Sequence, residues 1–237
     1  MPLSRWFSGR RPSLRDRLVK ALQQARDGDA DGAIDTIAER FPDALRELLA
    51  LPGPVDTGRL RLAARLAYRA GDMTTAADVA TQALDGEEDA STWNLLGRIR
   101  VWLKRPEAPA AFARASSLQP GTYSIPFRVK RDRFARLAEA ALAEVPEAFQ
   151  AQMLNTMIVV DDLPDLEAVR EGEDPDLLGL YEGATVLEDG LPERIVLYQR
   201  NHENISADEA ELEQEVRETM RHEIGHHFGM AEDELPY

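Results

Sequence analysis

Cysteine is absent from all 237 residues of the sequence. Its absence excludes disulfide bridges, cysteine-ligated metal sites and catalysis by a thiol nucleophile. Apolar runs are also short. Because none approaches the length of a membrane-spanning helix, we expect no integral membrane association. The N-terminal residues are basic but contain no apolar segment of the secretory type, which favours a cytoplasmic location.

Positive charge is scarce toward the C-terminus. Residues 161–237 contain 23 Asp and Glu against five Arg and no Lys, a net charge of −18. This acidity argues against nucleic-acid binding and indicates either a solvated surface or a preference for basic or unfolded peptides. Residues 1–30 instead carry a net charge of +4. We expect residues 1–12 to form a flexible basic tail, unless Trp6 and Phe7 bring it to a membrane surface or an acidic partner.

Histidine is rare as well, and all four histidines follow position 201. Three of them lie close together, and His222, Glu223 and His226 form an HExxH motif. Histidines four residues apart share one face of a helix, so both imidazoles can reach one metal ion. Glu223 is then placed to hold or deprotonate a water molecule at that ion. The alternative is a pair of ordinary surface histidines.

The residues around the motif predict a helix. Ser206 and Glu209 have the spacing of a capping box, and Gly229 stands where a glycine often ends a helix. His227 lies about 100° around the helix from His226, so we expect it to pack or hydrogen-bond rather than bind the same metal. A core-facing stripe is predicted at every fourth position, at Leu212, Val216, Met220 and Ile224.

A zinc site that performs chemistry needs a third protein ligand and an open position for water. Gly229 would let the chain turn back toward the metal. Glu232 follows His222 by ten residues, the spacing at which metzincins place their third ligand. The sequence therefore predicts one Zn2+ bound by His222, His226 and Glu232, with Asp233 as a competing third ligand.

Three further segments accompany this motif. They are LLGLYEG at residues 177–183, RIVLYQRN at residues 194–201 and MIVVDDLP at residues 157–164. With HEIGHHFG and the acidic residue three positions after its final glycine, they resemble the minimal zincin family of small bacterial metallopeptidases. The resemblance covers residues 128–237 and implies a small zincin-like α/β domain at residues 127–237. In that family the third ligand is commonly aspartate, from which Glu232 departs.

The resemblance also implies a chemistry. It implies zinc-dependent hydrolysis of peptide bonds with Glu223 as the catalytic residue. Substrates of zincins lie extended along an edge strand, and residues 194–199 are the candidate strand here. A tyrosine often stabilises the oxyanion in such enzymes, and Tyr181, Tyr198 and Tyr237 are all candidates.

The first half of the chain predicts helices that repeat. Ala76, Ala80 and Ala83 recur as Ala108, Phe112 and Ala115 after an offset of 32 residues, and Trp93, Leu96 and Gly97 precede the second set. This pattern resembles the tetratricopeptide repeat. It predicts helical hairpins at residues 13–42, 58–85 and 91–118 within a repeat domain of residues 13–122. The domain boundary is expected near Pro120 and Gly121. Such a domain either recognises a protein partner or substrate, or serves only as a scaffold.

The sequence therefore predicts an α+β fold in which all-α helical hairpins precede the small zincin-like domain. The favoured function is a zinc-dependent peptidase that acts on a peptide or protein substrate. The first alternative is a metal-binding interaction module without catalytic activity. The second is an enzyme whose acidic segment at residues 161–176 covers the metal.

Overall fold

The computed structural model describes residues 12–37, 40–151, 153, 156–183, 193–228 and 230. Positions 1–11 of the expected basic tail lie outside these residues. Gly229, Glu232, Asp233 and Tyr237 also lie outside them. The chain divides into two compact units, Met1–Glu88 and Asp89–Tyr237. Within the described residues, no helix is both long and apolar enough to cross a bilayer.

The described part of the first unit is helical. Asp56 and Asp72 begin two of the helices, because their carboxylates accept hydrogen bonds from the backbone N–H groups of Arg59 and Thr75. The hairpins expected in this region are present as helices. Their bounds are α1 (Leu14–Arg26), α2 (Gly32–Ile37), α3 (Phe41–Ala50), α4 (Thr57–Arg69) and α5 (Met73–Gly86).

The second unit begins with the third hairpin, α6 (Ala90–Trp102) and α7 (Ala108–Leu118). The two helices approach closely at Gly97, where an added Cβ would lie 2.8 Å from the Phe112 ring. The hairpin lies in the same compact unit as the sheet, whereas the sequence places the domain boundary after it, near residue 120. The assignment of these helices to tetratricopeptide repeats stays a prediction.

The rest of the second unit combines helices with a small sheet, which confirms the α+β class. The sheet has the order β1-β3-β2, with β1 parallel and β2 antiparallel to β3. The elements are α8 (Arg131–Ala143), α9 (Glu147–Gln150), β1 (Met157–Asp161), α10 (Leu166–Glu171), β2 (Gly179–Glu182), β3 (Arg194–Tyr198), α11 (Gln199–Ile205) and α12 (Glu209–His227).

The expectation that residues 194–199 form the substrate-binding edge strand is wrong. Val196 of β3 is paired with Val159 on one side and Leu180 on the other, so β3 is the central strand. Its apolar side chains are buried, as is typical of a strand covered on both faces. The edge strand in contact with α12 is β2.

Helix α12 is confirmed, with its start two residues later than expected. Asp208 is the N-cap and accepts from the Glu211 backbone N–H at 3.0 Å, while Glu211 accepts from the Ala207 backbone N–H at 2.7 Å. Ser206 instead donates its hydroxyl to the carbonyl of His202. The predicted stripe is confirmed as core, since its residues are at most 6% exposed: Leu212, Val216, Met220 and Ile224.

Helix α11 is absent from the sequence-based prediction because its inward side is polar. The Glu203 carboxylate is fully buried and accepts from Arg128 Nη1 at 2.9 Å, Arg200 Nη1 at 2.8 Å and the Val129 backbone N–H at 3.0 Å. His202 beside it is also fully buried. Apolar periodicity cannot reveal a helix whose buried side chains are held by hydrogen bonds.

Burial of His202 predicts a dependence of stability on pH. Burial lowers the pKa of this imidazole from its ordinary value of 6.5 to about 4. Between those two values the unfolded chain carries a proton at His202 that the folded chain does not. Above pH 6.5 His202 is neutral in both states and does not reduce the free energy of unfolding. As the pH falls from 6.5 toward 4, the proton bound by the unfolded chain lowers the free energy of unfolding. The expected loss is about 3 kcal/mol in the free energy of unfolding.

Urea unfolding measured across this range, in the wild type and in His202→Leu, tests the prediction. The difference in unfolding free energy between the two proteins should shrink as the medium becomes more acidic. A constant difference would show that His202 has the same pKa folded and unfolded.

Candidate metal centre and catalytic cavity

Helix α12 brings the two motif histidines together. His222 Nε2 and His226 Nε2 lie 3.0 Å apart, and their ring centroids are separated by 4.7 Å. Two imidazole nitrogens bound to a tetrahedral zinc ion at about 2.0–2.1 Å would lie roughly 3.3 Å apart. Both nitrogens therefore converge on one point, and the pair fits two positions of a zinc ligand set.

The third ligand is not among the described residues. Glu232 and Asp233, the two candidates, both lie outside them. In the part of the chain that the structure describes, no three histidine, aspartate or glutamate side chains form a metal-binding group. The choice between Glu232 and Asp233 stays a prediction.

Glu223 projects from the same helix against strand β2. It is only 5% exposed. A Cβ built on Gly179 would lie 2.9 Å from both Cγ and Oε1 of Glu223, and 2.6 Å from the methyl carbon of Thr219. Because real Cβ atoms do not approach so closely, only glycine allows β2 to lie this near to the helix. The close approach of β2 to Glu223 therefore depends on Gly179.

A cavity of about 440 Å3 opens beside Glu223. One wall is α12, and the other is the chain that leads into β2. Asp174 and Asp176, at the end of the acidic segment of residues 161–176, belong to this second wall. The cavity lies between this wall and α12. The lining residues are Asp174, Asp176, Leu177, Leu178, Gly179, Glu215, Glu218, Thr219, His222 and Glu223.

The charge of this lining is strongly negative. It includes five carboxylates and neither lysine nor arginine. Arg98 approaches from outside the lining, with its Nη1 at 3.0 Å from Asp176 Oδ1. Burial raises the pKa of Glu215, and the negative charges of Glu218 and Glu211 raise it further. A cationic group that entered the cavity would therefore meet a favourable potential.

His227 faces away from this cavity, as its angle on the helix predicts. Its Nδ1 lies 3.2 Å from the hydroxyl of Tyr181 and 3.2 Å from Glu193 Oε2. Burial raises the pKa of Tyr181, and the neighbouring Glu193 raises it further. Burial is also the largest cause that raises the pKa of Tyr198 to about 12. Among the described tyrosine candidates, Tyr181 is the one that adjoins His227.

Residues 153–237 match the family model of zincin-like metallopeptidases. The match spans the sheet and the whole HExxH helix and extends to the end of the chain. It indicates a peptidase-type function for this zincin-like region. No curated protein matches the chain.

Sequence reasoning did not predict the contacts that Gly179, Thr219 and His202 make at this site. Gly179 carries the clearest signal, because a glycine inside a strand often marks a close approach of another element. Thr219 precedes Glu223 by one helical turn and therefore shares its face. His202 has no sequence signal for its role, since its contact with Thr219 joins two helices.

The close approach at Gly179 predicts the effect of a methyl group at this position. Gly179→Ala should force β2 and α12 apart and lower the free energy of unfolding by about 1–3 kcal/mol, the usual range for overpacking. Gly86→Ala is the matched control, because its Cβ would meet only Thr57 Oγ1, at 3.1 Å. Urea unfolding of both variants provides the measurement. Equal stability of the two variants would contradict the packing described here.

Proposed function

We propose that the chain is a zinc-dependent peptidase in which the zincin-like region hydrolyses peptide bonds. The observation that carries the proposal is the convergence of two imidazole nitrogens at 3.0 Å beside a buried glutamate, at the wall of a cavity of about 440 Å3. Metal-assisted hydrolysis requires side chains that bind the metal, a base and space for a substrate.

His222 and His226 would hold the ion through their Nε2 atoms, with Glu232 as the third ligand and Asp233 as its alternative. When bound, zinc supplies a Lewis acid that polarises the scissile carbonyl and makes the attacking water more acidic. Glu223 is not in the proposed ligand set, and its carboxylate is assigned to proton transfer.

Glu223 acts as the base and then as the acid. Its carboxylate takes a proton from water as the water oxygen bonds to the carbonyl carbon. It returns that proton to the amine nitrogen as the carbon–nitrogen bond breaks. Glu223 is only 5% exposed, and such burial restricts the position of the base before a substrate enters.

Strand β2 is the surface on which an extended substrate would bind. It is at the edge of the sheet, and among the described residues it pairs with β3 alone. It begins at the residue that contacts Glu223. Main-chain pairing with an edge strand holds a peptide with little dependence on its sequence. The helical hairpins are proposed to recognise a protein partner or the same substrate.

The proposed base gives the decisive test. Glu223→Gln should retain zinc and its thermal stability, since the two side chains have similar size and Glu223 is not a ligand. It should lose hydrolysis of unfolded polypeptides by at least the ~100-fold that general acid–base catalysis contributes. Zinc content by elemental analysis and the rate of peptide release are the two measurements.

Two sets of controls separate the outcomes. Glu213→Gln makes the same change at an exposed position of α12 and should leave activity unchanged. His222→Ala and His226→Ala should lose zinc as well as activity. Equal activity of Glu223→Gln and the wild type would refute the mechanism. Zinc bound without activity in either protein would favour the metal-binding interaction module.

The acidic lining predicts a preference among substrates. Peptides with lysine or arginine near the scissile bond should be cleaved with a higher kcat/KM than matched peptides with norleucine. Glu215→Gln and Glu218→Gln should reduce this ratio through KM, because they remove charges that face the cavity. Glu213→Gln again serves as the control. A ratio that stays the same in all the variants would show that the lining does not select for charge.

A further inference from the structure

The buried imidazole of His202 has an orientation that its contacts define. Its Nδ1 lies 3.0 Å from the backbone carbonyl of Tyr198, and its Nε2 lies 3.0 Å from Thr219 Oγ1. A carbonyl only accepts hydrogen bonds, so Nδ1 carries the proton and Nε2 is the acceptor. The Thr219 hydroxyl must therefore donate to His202. The edge-to-face contact with Phe134, at 5.4 Å between ring centroids, holds the ring in this orientation.

Fixing the hydroxyl of Thr219 also fixes its methyl group, since both are attached to the same Cβ. That methyl carbon is the atom nearest to the missing side chain of Gly179, at 2.6 Å from an ideal Cβ. Glu223 lies one turn further along α12, and its Cγ and Oε1 would each lie 2.9 Å from the same ideal Cβ. Thr219 and Glu223 thus border the same gap beside β2, which is left open only because residue 179 is glycine.

We propose that His202 is a positioning residue for the catalytic carboxylate: it fixes the rotamer of Thr219 and thereby the place of Glu223 against Gly179. The inference rests on the proposed function of Glu223. Burial lowers the pKa of His202 to about 4, so its imidazole remains neutral and its Nε2 remains an acceptor in neutral solution. The network needs no metal ion and is complete within the described residues.

Three substitutions of the full chain test the proposal. Thr219→Val retains the shape of the side chain but removes the hydroxyl, and His202→Leu removes the acceptor. Each should lower kcat by about tenfold or more, the order expected when a reacting group is misplaced, with KM and zinc content unchanged. Thr219→Ser retains the hydrogen bond to His202 and should retain most of the wild-type kcat.

The double variant and a matched control sharpen the test. His202→Leu combined with Thr219→Val should be no slower than the slower single variant, because both remove the same hydrogen bond. Thr81→Val removes a threonine hydroxyl that donates to the Ala77 carbonyl of its own helix, at 2.8 Å. It should leave kcat unchanged. If His202→Leu does not fold, the comparison of Thr219→Val with Thr219→Ser decides the question alone.

A measurement that does not depend on catalytic activity tests this inference separately from the proposed function. In 1H–15N spectra of the metal-free protein, the Gly179 amide resonance should shift in Thr219→Val and His202→Leu and remain in place in Thr81→Val. If Glu223→Gln proves as active as the wild type, the peptidase mechanism fails, and these shifts still decide whether His202 fixes Thr219 against β2. A wild-type kcat in Thr219→Val, or an unmoved Gly179 resonance, overturns the proposal.

Discussion

The contact of β2 with α12 at Gly179 is the constraint on which the site depends. No side chain larger than hydrogen fits there, since a Cβ would meet Thr219 and Glu223 at distances below 3.0 Å. The close approach buries Glu223 and still leaves it at the wall of the cavity. One further turn of the helix carries His226 to the point where its Nε2 meets that of His222. The approach of β2 to Glu223 is therefore set by this packing contact, whereas the meeting of the two histidines is set by the period of the helix.

Helix α11 maintains this arrangement through buried polar side chains. Asn201 Nδ2 donates to the carbonyls of Pro175 at 2.9 Å and Leu177 at 2.7 Å, which holds the cavity wall opposite α12. His202 holds Thr219 on α12 itself. Buried polar groups are costly unless they are paired, so a network of this kind stabilises one arrangement against its alternatives. A short helix with little apolar surface thus orders both walls of the cavity.

The excess negative charge of the C-terminal region is unevenly arranged around α12. Arg217 and Arg221 of this helix contact Glu144, at 2.8 Å and 3.5 Å. Glu215 and Glu218 of the same helix line the cavity. The carboxylates of the lining therefore act together on the cavity, where the low polarisability of the walls strengthens their field. A solvated surface would account for the acidity of the C-terminal region as a whole. Part of that acidity also produces a negative electrostatic potential in the cavity.

The sequence by itself determined the features that depend on local spacing. The i, i+4 histidine pair, the buried stripe of α12 and the helices of the hairpins follow from a period of 3.6 residues, which any segment displays without its neighbours. Tertiary structure decided the strand order, and with it that β2 rather than β3 forms the edge. It also decided that Gly179 lies beside Thr219 and Glu223 and that His202 contacts Thr219. These contacts join residues that are distant in the chain. Strand pairing and buried hydrogen bonds produce no periodic pattern in the sequence, so the contacts cannot be inferred from it.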